Sequence, residues 1–195
     1  MGRVILATGG SRSGKSVLAE KKAEQIGGGS VLYIATAIPT DDDMRERIRI
    51  HQARRNPSWE TYEGYRNLDE VIAKTDKKVI LLDCLTVLIT NILFEDLERD
   101  FDTISKDEIH ELEEECIKEV LKVAKAAKES DKIVIAVTNE VGMSLVPAYR
   151  LGRIFSDITG KVNQAFADIS DEVYMSVSGI ALMIKPSLQT VRDMA

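Results

Sequence analysis

Eight consecutive residues, Gly9-Gly10-Ser11-Arg12-Ser13-Gly14-Lys15-Ser16, satisfy the pattern GxxxxGK[ST] at every fixed position. The residue types suit a polyphosphate. Glycines lack a Cβ, so the backbone at Gly9, Gly10 and Gly14 can wrap closely around phosphate oxygens and turn its N–H groups inward. The N-terminus of the helix that should follow, over 17–23, would add the positive end of its dipole. The Lys15 ammonium matches β- and γ-phosphates, and the Ser16 hydroxyl matches a Mg²⁺ ion. A carboxylate for the metal side stands at Asp83, which ends the apolar run Val79-Ile80-Leu81-Leu82 in the Walker B manner. Together the two motifs predict a bound nucleoside triphosphate with Mg²⁺.

A second group of reactive side chains follows. If residues 42–54 form a helix capped by Thr40 or Asp41, then Arg47, His51, Arg54 and Arg55 fall at i, i+4, i+7 and i+8 and share one face. Among arginines the charged imidazolium is disfavoured, leaving a neutral, nucleophilic ring near pH 7 beside groups able to hold phosphates. The same spacing also describes a solvated basic face with an incidental histidine, and the local pattern does not separate the two. Glu63, closing the alternating segment 58–63, is either a hydrogen-bond acceptor for a purine or ribose or an exposed strand-end acid.

These residues need elements to hold them. Residues 4–8 read as a buried strand feeding the glycine loop and a helix over 17–23; residues 31–35 read as a second strand, with Thr36 at its carboxyl end. Further on, the pattern predicts a helix over 65–74, the Asp83 strand, a buried helix over 84–94 and an acidic loop over 95–107. The stripe Ile109, Leu112, Cys116, Ile117, Val120, Leu121, Ala124 and Ala127 marks a long helix, with His110 off the stripe as solvated surface. Residues 133–137 make another core strand ending in Thr138-Asn139-Glu140, Pro147 can open a further helix, and strands over 171–177 and 181–184 flank a turn at Gly179. Strands alternating with helices predict a mostly parallel sheet covered on both faces, with ligands at the carboxyl ends of the strands.

The chain has 195 residues, enough for one well-buried core, and is expected to form a single domain over 1–195. Its 26 Lys and Arg against 32 Asp and Glu give a formal net charge of -6, which supplies no general attraction to nucleic acid and argues against a DNA-dependent motor. Cys84 and Cys116 fit no CxxC or metal spacing, and the chain opens into a strand without a charged-then-apolar leader, so a reducing cytoplasm is expected. No apolar run reaches the ~20 residues that cross a bilayer.

Taken in order, the segments 8–16, 33–36, 44–51, 59–63, Leu82-Asp83-Cys84-Leu85-Thr86, Thr138-Asn139-Glu140-Val141-Gly142-Met143 and 160–164 resemble the bifunctional adenosylcobinamide kinase and adenosylcobinamide-phosphate guanylyltransferase family. The P-loop is common to many NTPases, whereas its ordered combination with the histidine segment and the Thr-Asn-Glu-Val-Gly block is specific. The resemblance implies a P-loop NTPase of RecA-like α/β fold, GTP and ATP as substrates, Mg²⁺, adenosylcobinamide and its phosphate as acceptors, and a homotrimer. It makes His51 the nucleophile that carries GMP. It also implies nucleotide contacts from residues 9–16, from Ile34, Ala35 and Thr36, from Gln52, Ala53, Arg54 and Arg55, and from Glu63 and Asp83. The chain departs from the family pattern at Ala148, Tyr149 and Ser156, which bears on substrate or subunit contacts rather than on the nucleotide machinery.

Overall fold

Runs of aliphatic residues buried on both sides make the strands. In the computed structural model, which describes residues 2–38, 49 and 56–186, seven strands form one sheet. They are β1 (Arg3–Gly9), β2 (Val31–Ala35), β3 (Glu60–Glu63), β4 (Val79–Asp83), β5 (Ile133–Val137), β6 (Glu172–Val177) and β7 (Ile180–Lys185). The spatial order is β3-β2-β4-β5-β1-β6-β7, all pairs parallel except β6 with β7. The expected mostly parallel sheet is therefore present. β5 lies between the P-loop strand β1 and the acid-bearing strand β4.

Alternation along each strand divides the core into two layers. Ile5, Val31, Tyr33, Val79, Leu81 and Ile135 face α1 (Lys15–Gly27), whose wholly buried Ala19 and Ala23 let it pack close to the sheet. Val4, Leu6, Leu32, Ile34, Ile80 and Leu82 face the opposite layer, built by α2 (Leu68–Lys74), α3 (Leu85–Leu93), α4 (Lys106–Lys128) and α5 (Arg150–Ile169). Among the described residues no helix is long and apolar enough to cross a membrane.

Several boundaries differ from the sequence pattern for local reasons. The segment 58–63 yields a strand only from Glu60, because Asn56 Oδ1 accepts bonds from the Ser58 N–H and hydroxyl and turns residues 56–59. The helix expected over 65–74 begins at Leu68, since Asn67 stands in the left-handed region at φ 54 and breaks the run. Pro147 does not open α5. The helix starts three residues later, where Arg150 donates to the carbonyls of Phe101, Asp102 and Ile104 and ties its first turn to the loop before α4. The α4 stripe also buries Val123, while Ile109, Ile117 and Leu121 are only half-buried. His110 is exposed as expected, but it has acidic neighbours, with Glu113 at 3.9 Å and Glu114 at 3.4 Å.

Helix α4 begins with a reciprocal capping box: Ser105 Oγ accepts from the Glu108 N–H, and Glu108 Oε2 accepts from the Ser105 N–H at 2.9 Å. Ser105→Ala is expected to lower unfolding free energy by about 1 kcal/mol. Urea titration followed by circular dichroism would check this, with an unchanged midpoint as the contrary result.

Candidate active site

The carboxyl ends of β1, β4 and β5 meet on one rim because the three strands are parallel neighbours in register, Ala7 opposite Val137 and Asp83 opposite Val137. β1 delivers the glycine loop. Gly9 sits at φ 152, and a Cβ there would meet Ser176 O at 2.5 Å and Ser13 Oγ at 2.6 Å, so the loop can close only around a glycine. Gly14 caps α1 in the left-handed conformation at φ 96, with no side chain satisfying the first-turn N–H groups and no acid in that turn. Those donors are left for an anionic ligand.

Lys15 is buried, and its ammonium donates to Gly10 O at 2.9 Å, spanning the glycine loop. Burial lowers its pKa, while the nearby Cys84 and Asp83 pull it back up. The attraction to Asp83 marks the two motif residues as electrostatic neighbours. Asp83 is held in turn: Tyr33 OH donates to its Oδ2 at 2.8 Å from the adjacent strand. Ser16 follows Lys15 in the first turn of α1, so the metal-binding groups on offer are a hydroxyl and a carboxylate. Hard oxygen ligands of this kind fit Mg²⁺, which is held by one or two protein groups plus substrate phosphates and water.

The third contribution to the rim is the end of β5. The Glu140 N–H donates to Gly9 O at 3.1 Å, and its carboxylate accepts a hydrogen bond from the Thr8 hydroxyl. Behind it a buried polar network fixes the backbone. Asn163 Oδ1 accepts from Thr138 Oγ1 at 2.7 Å, Asn163 Nδ2 donates to Asn139 O at 3.0 Å, and the Asn139 N–H donates to Thr86 Oγ1 at 2.8 Å. Thr86 of α3, Thr138 just beyond β5 and Asn163 of α5 thereby hold Asn139 and Glu140 against the start of the P-loop.

The structure brings Gly9, Gly10, Ser11, Arg12, Ser13, Gly14, Lys15, Ser16 and Asp83 to one edge of the sheet. Glu63 is exposed at the end of the edge strand β3, two strands from β4. Ile34 lies wholly inside the core. Thr36 exchanges hydrogen bonds with the Cys84 backbone through its hydroxyl, and its carbonyl accepts from Asn91 Nδ2 at 2.7 Å. The Ala35 carbonyl accepts from the Gly64 N–H at 3.0 Å. In this conformation residues 34–36 brace the β2 end. Arg47, His51, Gln52, Ala53, Arg54 and Arg55 lie outside the described residues.

Thr8, Tyr33, Thr86 and Asn163 hold the site together without any sequence motif that gives them a role. Tyr33 did carry a signal, as the one aromatic in an aliphatic strand, two residues before its carboxyl end and so on the face of Ala35, the partner of Asp83. The two cysteines lie away from solvent. Both are unpaired and buried, and burial pushes each thiol up to about 12, helped at Cys84 by the charge of Asp83 and at Cys116 by that of Glu115. A thiol-reactive disulfide reagent at pH 7.5 is expected to leave both untouched in the folded protein and to titrate both in denaturant. Rapid reaction of either thiol in the folded state would contradict this burial.

Comparison with known proteins bears on the same residues. The family model for cobinamide kinase / cobinamide phosphate guanyltransferase (CobU) matches residues 5–184. The bifunctional adenosylcobalamin biosynthesis protein CobU of Escherichia coli (strain K12) is 42% identical over 186 residues, spanning 93% of this chain and 99% of that protein. Its counterpart from Salmonella typhimurium is also 42% identical, over 187 residues, with the same coverage. The bifunctional adenosylcobalamin biosynthesis protein CobP of Pseudomonas aeruginosa is 35% identical over 182 residues, covering 92% of this chain and 96% of that one.

Proposed function

From the premise that this chain belongs to the cobinamide kinase / cobinamide phosphate guanyltransferase family of enzymes, we propose that it performs two successive reactions on adenosylcobinamide in the cytoplasm. In the first, the phosphates of ATP or GTP lie in the loop of residues 9–16. The hydroxyl oxygen of the aminopropanol arm attacks the γ-phosphorus, the bond to the β,γ-bridging oxygen breaks, the nucleoside diphosphate leaves and the hydroxyl proton passes to solvent. Lys15 and the loop N–H groups stabilise the charge that spreads over the transferring group. Ser16 and Asp83 would hold Mg²⁺, which supplies neutralisation of the phosphate oxygens.

In the second reaction an imidazole nitrogen of neutral His51 attacks the α-phosphorus of GTP. Pyrophosphate leaves and a GMP-histidine phosphoramidate remains. An oxygen of adenosylcobinamide phosphate then displaces the histidine, giving adenosylcobinamide-GDP and free imidazole. Covalent catalysis splits one difficult transfer into two. Arg54 and Arg55 are the charge stabilisers of this step, and Gln52, Ala53 and Glu63 complete the guanine nucleotide site.

The observation that carries the nucleotide half of this reading is that β1 and β4, flanking β5 in parallel register, bring the P-loop and Asp83 to one rim. The guanylyl half is supported by the family match across residues 5–184, which spans His51. Incubation with adenosylcobinamide, Mg²⁺ and GTP, followed by chromatography and mass spectrometry, is expected to yield adenosylcobinamide phosphate and then adenosylcobinamide-GDP. Unchanged adenosylcobinamide after prolonged incubation would refute the reading. The homotrimer belongs to the same proposal, and sedimentation equilibrium should give a single species of three 21.7 kDa chains.

A further inference from the structure

A cavity of about 800 Å³ opens between the first turns of α4, the segment 141–147 and the outer face of α5. None of residues 9–16 lines it, nor does Asp83 or Glu63, so it is distinct from the phosphate cradle. It nevertheless adjoins that cradle. Its wall includes Val141, the residue after Glu140, and Glu140 is bonded through its N–H to Gly9 and through its carboxylate to Thr8. Asn163, between the lining residues Lys161 and Gln164 on α5, fixes the Thr138–Asn139 backbone that joins the two regions.

The cavity's size and chemistry constrain what it takes. Its volume lies toward the upper end of the roughly 300–1,000 Å³ typical of small-molecule sites. Ile109, Ile154 and Ile158 give it an apolar wall, and charges of both signs fringe it. Lys161 is paired with Glu113 at 2.7 Å, Lys106 and Asp157 add one charge of each sign, and the guanidinium of Arg153 is engaged by the carbonyls of Pro147 and Ala148. A polyphosphate would meet Glu113 and Asp157 as well as the lysines, so this is a poor anion site. A broad apolar ring carrying carboxamides, each both donor and acceptor, satisfies lysine and carboxylate alike.

We infer that this cavity is the acceptor site: it holds the amide-fringed ring of the corrinoid, and the hydroxyl arm passes Glu140 to reach a nucleotide in the P-loop. The inference rests on the kinase reading above. It gives the segment 141–147 and residues 160–164 a role that nucleotide binding leaves open, and it puts Ser156, one of the departures from the family pattern, in the acceptor wall.

Gly160 provides the test. It lines the cavity, and a Cβ built on it meets no atom within 4 Å, so a large side chain there projects into space the ligand would need. Gly160→Tyr also replaces a poor helix former within α5. The expected result is a KM for adenosylcobinamide raised about 10-fold or more, with the Kd for a fluorescent GTP analogue unchanged. Lys161→Met, at a half-exposed position, should raise the same KM several-fold and serves if the tyrosine variant folds poorly. Acceptor KM values equal to that of the native enzyme in both variants would overturn the assignment while leaving the two-reaction reading intact. A native enzyme inert toward adenosylcobinamide would instead remove that reading itself.

Discussion

His51→Ala is expected to abolish covalent labelling by GTP carrying a radioactive α-phosphate, while phosphorylation of adenosylcobinamide proceeds within a few-fold of the native rate. The asymmetry follows from the chemistry. Only the guanylyl half-reaction needs a nitrogen that forms a bond to phosphorus, and without it no covalent intermediate exists. In the kinase half the attacking atom belongs to the substrate, so positioning and charge stabilisation from the P-loop suffice. The label in the native enzyme should be acid-labile and base-stable, as a phosphoramidate is. A label of that character persisting in the variant would assign the nucleophile to another residue.

Lys15→Ala has the opposite breadth. It is expected to lower kinase kcat/KM by about 10³-fold, comparable with the loss of a preorganised charge at a developing oxyanion, and to impair GMP labelling as well if both reactions draw on one nucleotide site. Full labelling alongside lost kinase activity would separate the two reactions into two sites.

The stability of the Lys15 variant is informative too. Burial lowers the native pKa of Lys15, opposed by Cys84 and Asp83, below the ordinary 10.5 of an unfolded chain. The native state therefore binds fewer protons than the unfolded one between those two values. The cost of the buried ammonium is fully present at neutral pH and is relieved only as pH rises through the lowered pKa. Removing the charge should not lower the melting temperature at pH 7, so the activity loss is not a folding defect. A marked drop in melting temperature would show that the ammonium's bond to Gly10 O outweighs its desolvation.

Much of this site is legible in the sequence. The P-loop and Asp83 announce themselves because phosphate and metal chemistry restrict residue types at fixed spacing, and the aliphatic runs of β1, β2, β4 and β5 are long enough to locate the strands. Contacts between elements were not legible. Thr8 with Glu140, Tyr33 with Asp83 and Thr138 with Asn163 are separated by 132, 50 and 25 residues, and each depends on a strand order that no local pattern encodes. Insertion of β5 between β1 and β4 is what brings Glu140 to the P-loop.

Helix starts failed for a related reason. A proline at 147 is a good opening residue, yet the bonds from Arg150 to Phe101, Asp102 and Ile104 set the first turn, and those partners come from another part of the chain. His51 is a different case. Its helical spacing with Arg47, Arg54 and Arg55 suits a solvated face as well as a catalytic one, and only the family resemblance favours catalysis.

The most direct test of the account is the intact mass of the protein after incubation with GTP and Mg²⁺ in the absence of acceptor, followed by peptide mapping under alkaline conditions. An added mass of one guanylyl group per chain is expected, located on the peptide containing His51 and discharged when adenosylcobinamide phosphate is supplied. An unmodified chain, or an adduct mapped to any other residue, would contradict it.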